Sequence, residues 1–190
     1  MNMGEFKYIL DKLEEVDIDC YQHSERVAML CYSFAKTLDI DKSERGVLYM
    51  AGFLHEVGKY QFENTMNING TDIILEEIYP LFSKAIIASR GYERLAKIVS
   101  QHMENIDGSG KPFGIVGEDI HLYATIVHIC DFYDKCRTEE KLDHAHSMSQ
   151  LRKQSDVIFP KKLITPFLKM LANDEDMKEV YSKRKRNHEQ

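Results

Sequence analysis

The chain has 190 residues, 31 acidic against 25 lysine and arginine side chains, and a net charge of -6. That size is one domain able to bury a core without disulfide staples, and the negative balance argues against a broad nucleic-acid surface. No apolar run reaches the roughly 18 residues of a membrane span, and the N-terminus lacks the basic-then-apolar order of a signal peptide.

Helical spacing dominates from the start. Phe6, Ile9, Leu10 and Leu13 define a first amphipathic helix; Val27, Leu30, Cys31, Phe34, Ala35 and Leu38 define a second. Asp41 or Ser43 is placed to cap a third, which runs through Val47, Leu48, Ala51 and Leu54 to His55, with Gly58 loosening its end. Residues 61–71 are asparagine-rich and read as a loop. Helices are expected again at Asp72–Ile78, after Pro80, and across Tyr92–His102. The glycines and proline of Asn105-Ile-Asp-Gly-Ser-Gly-Lys-Pro112 forbid continued helix. An apolar helix then covers Ile120–Cys136, and Pro160 and Pro166 bracket short C-terminal segments. The pattern predicts an all-α, single-domain fold over residues 1–170. Residues 171–190 form a helical or frayed tail carrying Lys183-Arg-Lys-Arg186. Cys20, Cys31, Cys130 and Cys136 lack CxxC spacing and read as reduced thiols of a cytoplasmic protein.

Chemistry concentrates in an ordered set on successive helices. His23 lies near the start of the second helix, His55-Glu56 closes the third with Lys59 one turn on, and His102 and Glu104 precede Asp107-Gly-Ser-Gly110. Asp131 sits inside an apolar helix, where an unpaired carboxylate is costly and calls for a counter-charge or a metal. His128, one turn before Asp131, is a further candidate ligand, although a hydrogen bond or packing explains it as well; Asp19, four residues before His23, reads as a helix cap. Phosphate-loop, dinucleotide, nucleophile-elbow and HExxH motifs are all absent.

The set resembles the HD superfamily of metal-dependent phosphohydrolases, and within it the HD-GYP branch that hydrolyses cyclic di-GMP. The likeness covers about residues 20 to 138. It rests on His23-Ser-Glu-Arg-Val-Ala28, Leu54-His-Glu-Val-Gly-Lys59, Tyr79-Pro80, His102-Met-Glu104, Asp107-Gly-Ser-Gly-Lys-Pro112 and Ala124-Thr-Ile-Val-His-Ile-Cys-Asp131. The resemblance implies an HD-type helical bundle, with His23, His55, His102 and Asp131 at ligand positions and Lys59 as the lysine that assists phosphate chemistry. The chain departs from the pattern at Glu56, where the bridging aspartate belongs, and at Tyr79 and Met103, which replace two histidines. Lys111 replaces the tyrosine of GYP, and Thr138-Glu-Glu-Lys141 occupies the place of an arginine-bearing segment.

These departures weigh on the second metal of the family. A glutamate moves its carboxylate by about 1.5 Å relative to aspartate, while a phenol and a thioether are poor donors to a borderline divalent ion. His23, His55, Glu56 and Asp131 can still supply four donors to one ion of Mn, Fe, Zn or Ni, with His102 and His128 as lesser candidates. The expected function is a phosphohydrolase or phosphodiesterase with a mononuclear site, acting on a nucleotide or cyclic dinucleotide, in which Lys59 and His102 carry the catalysis. The alternative is a catalytically silent signalling or scaffold module that binds a partner protein or nucleotide.

Overall fold

A computed structural model describes residues 3–59, 65–68, 71–173 and 181. In chain order it contains α1 (Met3–Val16), α2 (Ile18–Thr37), α3 (Lys42–Leu54), β1 (Thr65–Ile68), β2 (Thr71–Ile74), α4 (Leu75–Ala88), α5 (Glu93–Ser100), α6 (Leu122–Thr138), α7 (His144–Lys153) and α8 (Lys161–Asn173). The helical bundle expected from periodicity is therefore what the chain forms, and none of the described helices is long and apolar enough to cross a membrane.

α2 is the central element, packed on α1, α3, α6 and α8. Its apolar stripe of Val27, Leu30, Cys31, Phe34 and Ala35 is fully buried against Leu13, Leu48, Leu54, Ile126 and Phe167. Phe34 meets Phe167 edge to face with ring centroids 4.8 Å apart, a favoured aromatic geometry. The short connection between α2 and α3 makes them antiparallel, so the start of one meets the end of the other. Gly52 sets how closely: a Cβ there would lie 2.9 Å from the Ala28 Cα. The small pair Ala28–Gly52 thus draws His23 and His55, at the flanks of this contact, together.

Gly58 plays the same part between the turn after α3 and α4. Its N–H donates to Ser83 Oγ at 2.9 Å, and an added Cβ would stand 2.5 Å from the Tyr79 carbonyl oxygen. Backbone against backbone, this contact holds Tyr79 over the end of α3.

Several expectations are corrected. Part of the segment read as loop is an antiparallel hairpin pairing Thr65 with Ile74 and Ile68 with Thr71, so Asp72–Ile74 are strand and the helix begins at Leu75. The threonine and isoleucine content of 65–74 suits a strand, but the asparagines mask the alternation. Pro80 and Pro166 lie inside α4 and α8, each at the sixth residue, instead of bounding them. Each forfeits one N–H near a helix start, and packing of the apolar face outweighs that loss. α5 ends at Ser100, leaving His102 in the turn beyond. The cap of α2 is Asp17, whose carboxylate accepts from the Cys20 N–H at 2.9 Å; Asp19 follows within the first turn. The Lys183–Arg186 cluster lies outside the described residues.

Candidate metal centre

His23 on α2, His55 and Glu56 at the end of α3, and Asp131 on α6 converge. One ligand atom from each lies within 4.8 Å of all the others, and all four side chains are buried. His23 Nε2 stands 3.3 Å from His55 Nε2 and 3.0 Å from Asp131 Oδ1, with Glu56 Oε2 at 3.8 Å.

Hydrogen bonds behind each ring fix which nitrogen faces the cluster. His55 Nδ1 lies 2.7 Å from the Gly52 carbonyl, so it carries the proton and leaves the Nε2 lone pair pointing inward. His23 Nδ1 donates to Asp134 Oδ2 at 2.7 Å. Asp134 in turn accepts from Arg26 Nε and Nη2 at 2.7 and 2.8 Å, and from the Tyr181 hydroxyl at 2.6 Å. A buried carboxylate held by a guanidinium therefore orients His23, as outer carboxylates orient metal-binding imidazoles elsewhere.

The electrostatics favour a cation. Burial works against a charged His23, yet the carboxylates of Asp131 and Asp134, close to its two ring nitrogens, and the charge of Glu56 raise its pKa to about 10. Whatever draws a proton onto Nε2 draws any cation there. Although its Oδ1 is 3.0 Å from His23 Nε2, Asp131 Oδ1 is buried without a hydrogen bond that satisfies it, an acceptor left open toward the cluster. The inward Nε2 of His55, that of His23 once an ion displaces its proton, an open carboxylate oxygen and a second carboxylate make a donor set that fits a borderline divalent ion.

The other oxygens of the two acids turn to lysines. Asp131 Oδ2 accepts from Lys135 Nζ at 2.8 Å, and Glu56 Oε1 lies 2.5 Å from Lys59 Nζ and 3.3 Å from Lys135 Nζ. Burial opposes the ionised form of both acids; Lys135 foremost, then the histidines, holds each well below the usual carboxylate range. Cys20 Sγ donates toward Glu56 Oε2 at 3.4 Å, and burial with the Glu56 charge keeps it a thiol.

His102 is brought beside the cluster, its ring edge-on to His55 with centroids 5.0 Å apart, but its nitrogens are committed. Nδ1 donates to the Val99 carbonyl at 2.7 Å, so Nε2 is the acceptor for the Tyr79 hydroxyl at 2.9 Å. Burial and then the Glu56 charge push the phenol pKa well up, and burial and then His55 push that of His102 well down; both are neutral. The structure does not bring His128 into the cluster: its Nδ1 faces the Glu104 carbonyl at 3.2 Å and its ring packs on Phe159. Burial lowers its pKa to about 4. Glu104 itself anchors the glycine loop, accepting from the N–H groups of Phe113 and Ile115 at 2.7 and 2.8 Å.

A cavity of about 430 Å³ opens onto the cluster through His23 and Glu56 and is lined also by Asp17, Asp19, Cys20, Arg26, Lys59, Thr138 and Glu139. Sequence reasoning missed Arg26, Asp134 and Lys135. The signal was present as helical spacing, His23 to Arg26 and Asp131 to Asp134 and Lys135, which puts each on the helix face of a cluster residue.

The HD domain family model matches residues 9–159. The 3'3'-cGAMP-specific phosphodiesterase 3 of Vibrio cholerae is 28% identical over 123 residues, covering 62% of this chain and 27% of that protein. A cyclic di-GMP phosphodiesterase of Pseudomonas aeruginosa is 28% identical over 133 residues, 66% of this chain and 32% of that one. The chain thus spans about a quarter to a third of these curated relatives. An HDG"Y"P protein from Bdellovibrio bacteriovorus has the same fold, with a TM-score of 0.69 at 20% identity over 90% of this chain and 62% of that one.

Proposed function

The chain belongs to the HD domain family, and on that premise we propose that it is a metal-dependent phosphodiesterase for a nucleotide or cyclic dinucleotide, working with one divalent ion. The observation that carries this reading is the convergence of the His23, His55, Glu56 and Asp131 ligand atoms within 4.8 Å, with Asp131 Oδ1 buried and open. These four residues would hold Mn, Fe, Zn or Ni. A bound ion supplies Lewis acidity toward water and a phosphoryl oxygen.

The chain's own groups do the rest. Lys59 lines the cavity, about a third exposed, and its ammonium can turn from Glu56 to a phosphoryl oxygen and offset the charge that grows there. Asp134 and Arg26 hold the His23 ring, and the Gly52 carbonyl holds that of His55. His102, expected to share the catalysis with Lys59 by binding substrate phosphate or moving a proton, is buried and absent from the cavity wall; it acts through Tyr79, fixing the phenol 3.4 Å from Glu56 Oε1. Glu56 supports a one-ion reading, because Oε1, one of the two oxygens with which its carboxylate would span a metal pair, is held by two lysines.

The relatives named above are phosphodiesterases for 3'3'-cGAMP and cyclic di-GMP, which sets the substrates to try first. Purified protein supplied with one equivalent of Mn²⁺ is incubated with each, and with a bis-aryl phosphate, and the products are separated by ion-exchange chromatography. Linear products formed by the native chain and lost in Asp131→Asn are the expected result; no turnover of any phosphodiester would defeat the reading. A silent, nucleotide-binding module is the second reading, favoured by the acidic lining from Asp17, Asp19 and Glu139, which opposes a polyanion. Calorimetric binding of a cyclic dinucleotide without hydrolysis would decide for it.

A further inference from the structure

Each of the two acids in the cluster divides its oxygens. Asp131 Oδ1 lies 3.0 Å from His23 Nε2 and 3.6 Å from His55 Nε2, while Glu56 Oε2 is 3.8 Å from His23 Nε2 and Oε1 is 3.8 Å from His55 Nε2. Asp131 Oδ2 and Glu56 Oε1 converge on Lys135 Nζ at 2.8 and 3.3 Å. Lys135 is four residues beyond Asp131 on α6, so the helix itself aims its side chain along the same face. That side chain is 29% exposed, with the ammonium at its inner end between the two carboxylates.

A second divalent ion spanned to the first by both oxygens of Glu56 and of Asp131 would bind these same two atoms, and Nζ stands between them. The imidazole nearest that side, His102, has its acceptor nitrogen filled by the Tyr79 hydroxyl. We infer that Lys135 is a built-in monovalent cation that takes the place of a second metal ion and limits the centre to one. The inference rests on the one-ion reading given above and adds to it the residue that enforces the count. It makes Lys135 a specificity-determining residue for metal stoichiometry: its charge offsets that of the acid pair, and its ammonium excludes a second dication by occupying the oxygens.

The test counts ions in the folded protein. Native chain, Lys135→Met, which keeps an apolar stem of similar length, and Lys135→Arg, which keeps the charge, are dialysed against Mn²⁺ from micromolar to millimolar. Bound Mn²⁺ is measured by elemental analysis and by electron paramagnetic resonance. The native chain and Lys135→Arg are expected to saturate at one equivalent with an isolated-ion spectrum. Lys135→Met is expected to take up a second equivalent and show the spectrum of a coupled pair. One equivalent in Lys135→Met overturns the inference and leaves the one-ion centre standing. Two equivalents in the native chain overturn it without any variant, so it stays testable if Lys135→Met does not fold. No Mn²⁺ bound by the native chain defeats the metal reading itself.

Discussion

Replacing Asp134 by Asn tests how the centre is held. Asp134 is fully buried and accepts from His23, from both donors of Arg26 and from Tyr181. Burial alone would favour its neutral form, but His23 and Arg26 hold its pKa below the usual carboxylate range, so the ionised acid is part of the fold. Asn keeps the shape and removes the charge, leaving the guanidinium of the buried Arg26 without its counter-ion. Breaking a buried pair from one side costs about 3–5 kcal/mol, a large share of the ~5–15 kcal/mol that a domain has in total. At roughly 2–4 °C per kcal/mol for a chain of this size, the melting temperature should fall by roughly 6–20 °C. Loss of the partner that orients His23 should also weaken Mn²⁺ binding about 10–100-fold. Circular dichroism melts and calorimetric metal titration read the two effects separately. Adding Arg26→Met should restore much of the stability, since the unpaired charge is gone, but none of the metal affinity. A melting temperature within about 2 °C of native, with unchanged affinity, would refute this account of Asp134.

Other outcomes follow from particular contacts. Gly58→Ala places a methyl 2.5 Å from the Tyr79 carbonyl oxygen and 2.6 Å from the Ser83 nitrogen, both backbone, so it should destabilise by about 1–3 kcal/mol or more, read by urea denaturation. Tyr79→Phe leaves His102 Nε2 buried without its donor and should cost about 1–3 kcal/mol, while Mn²⁺ still binds at one equivalent; loss of the metal would contradict the separation of Tyr79 from the ligand set. His128 gives a pH signature. Its folded pKa of about 4 lies below the ordinary 6.5, so the unfolded chain binds more protons between these values and stability falls as pH drops from 6.5 toward 4. Melting temperatures of His128→Gln should decline less steeply over that window, and equal slopes would count against the buried, neutral His128.

The helices and the residues of the His-Glu-Asp cluster were legible because both are carried by local spacing. Phe6-Ile9-Leu10-Leu13 and the α2 stripe show their period directly, and His55-Glu56 stands out by composition at the end of an apolar run. What escaped notice is long-range pairing. Nothing local says that Arg26 and His23 on α2 meet Asp134 on α6, more than a hundred residues later. Lys135 reads as an ordinary solvated lysine until Glu56 is placed beside it. The hairpin at 65–74 escaped because its asparagines look like loop, and only the paired register reveals the strands. Pro80 and Pro166 misled in the opposite way: their local cost is real, but tertiary packing carries the helix through them.

The central claim is that His23, His55, Glu56 and Asp131 hold one divalent ion. The most direct measurement is anomalous diffraction at the Mn or Fe edge from crystals of the metal-loaded protein. The account predicts a single peak among His23 Nε2, His55 Nε2, Asp131 Oδ1 and a Glu56 carboxylate oxygen, with Lys135 Nζ still against Asp131 Oδ2. Two peaks spanning Glu56 and Asp131, or no peak at these four residues, would contradict it.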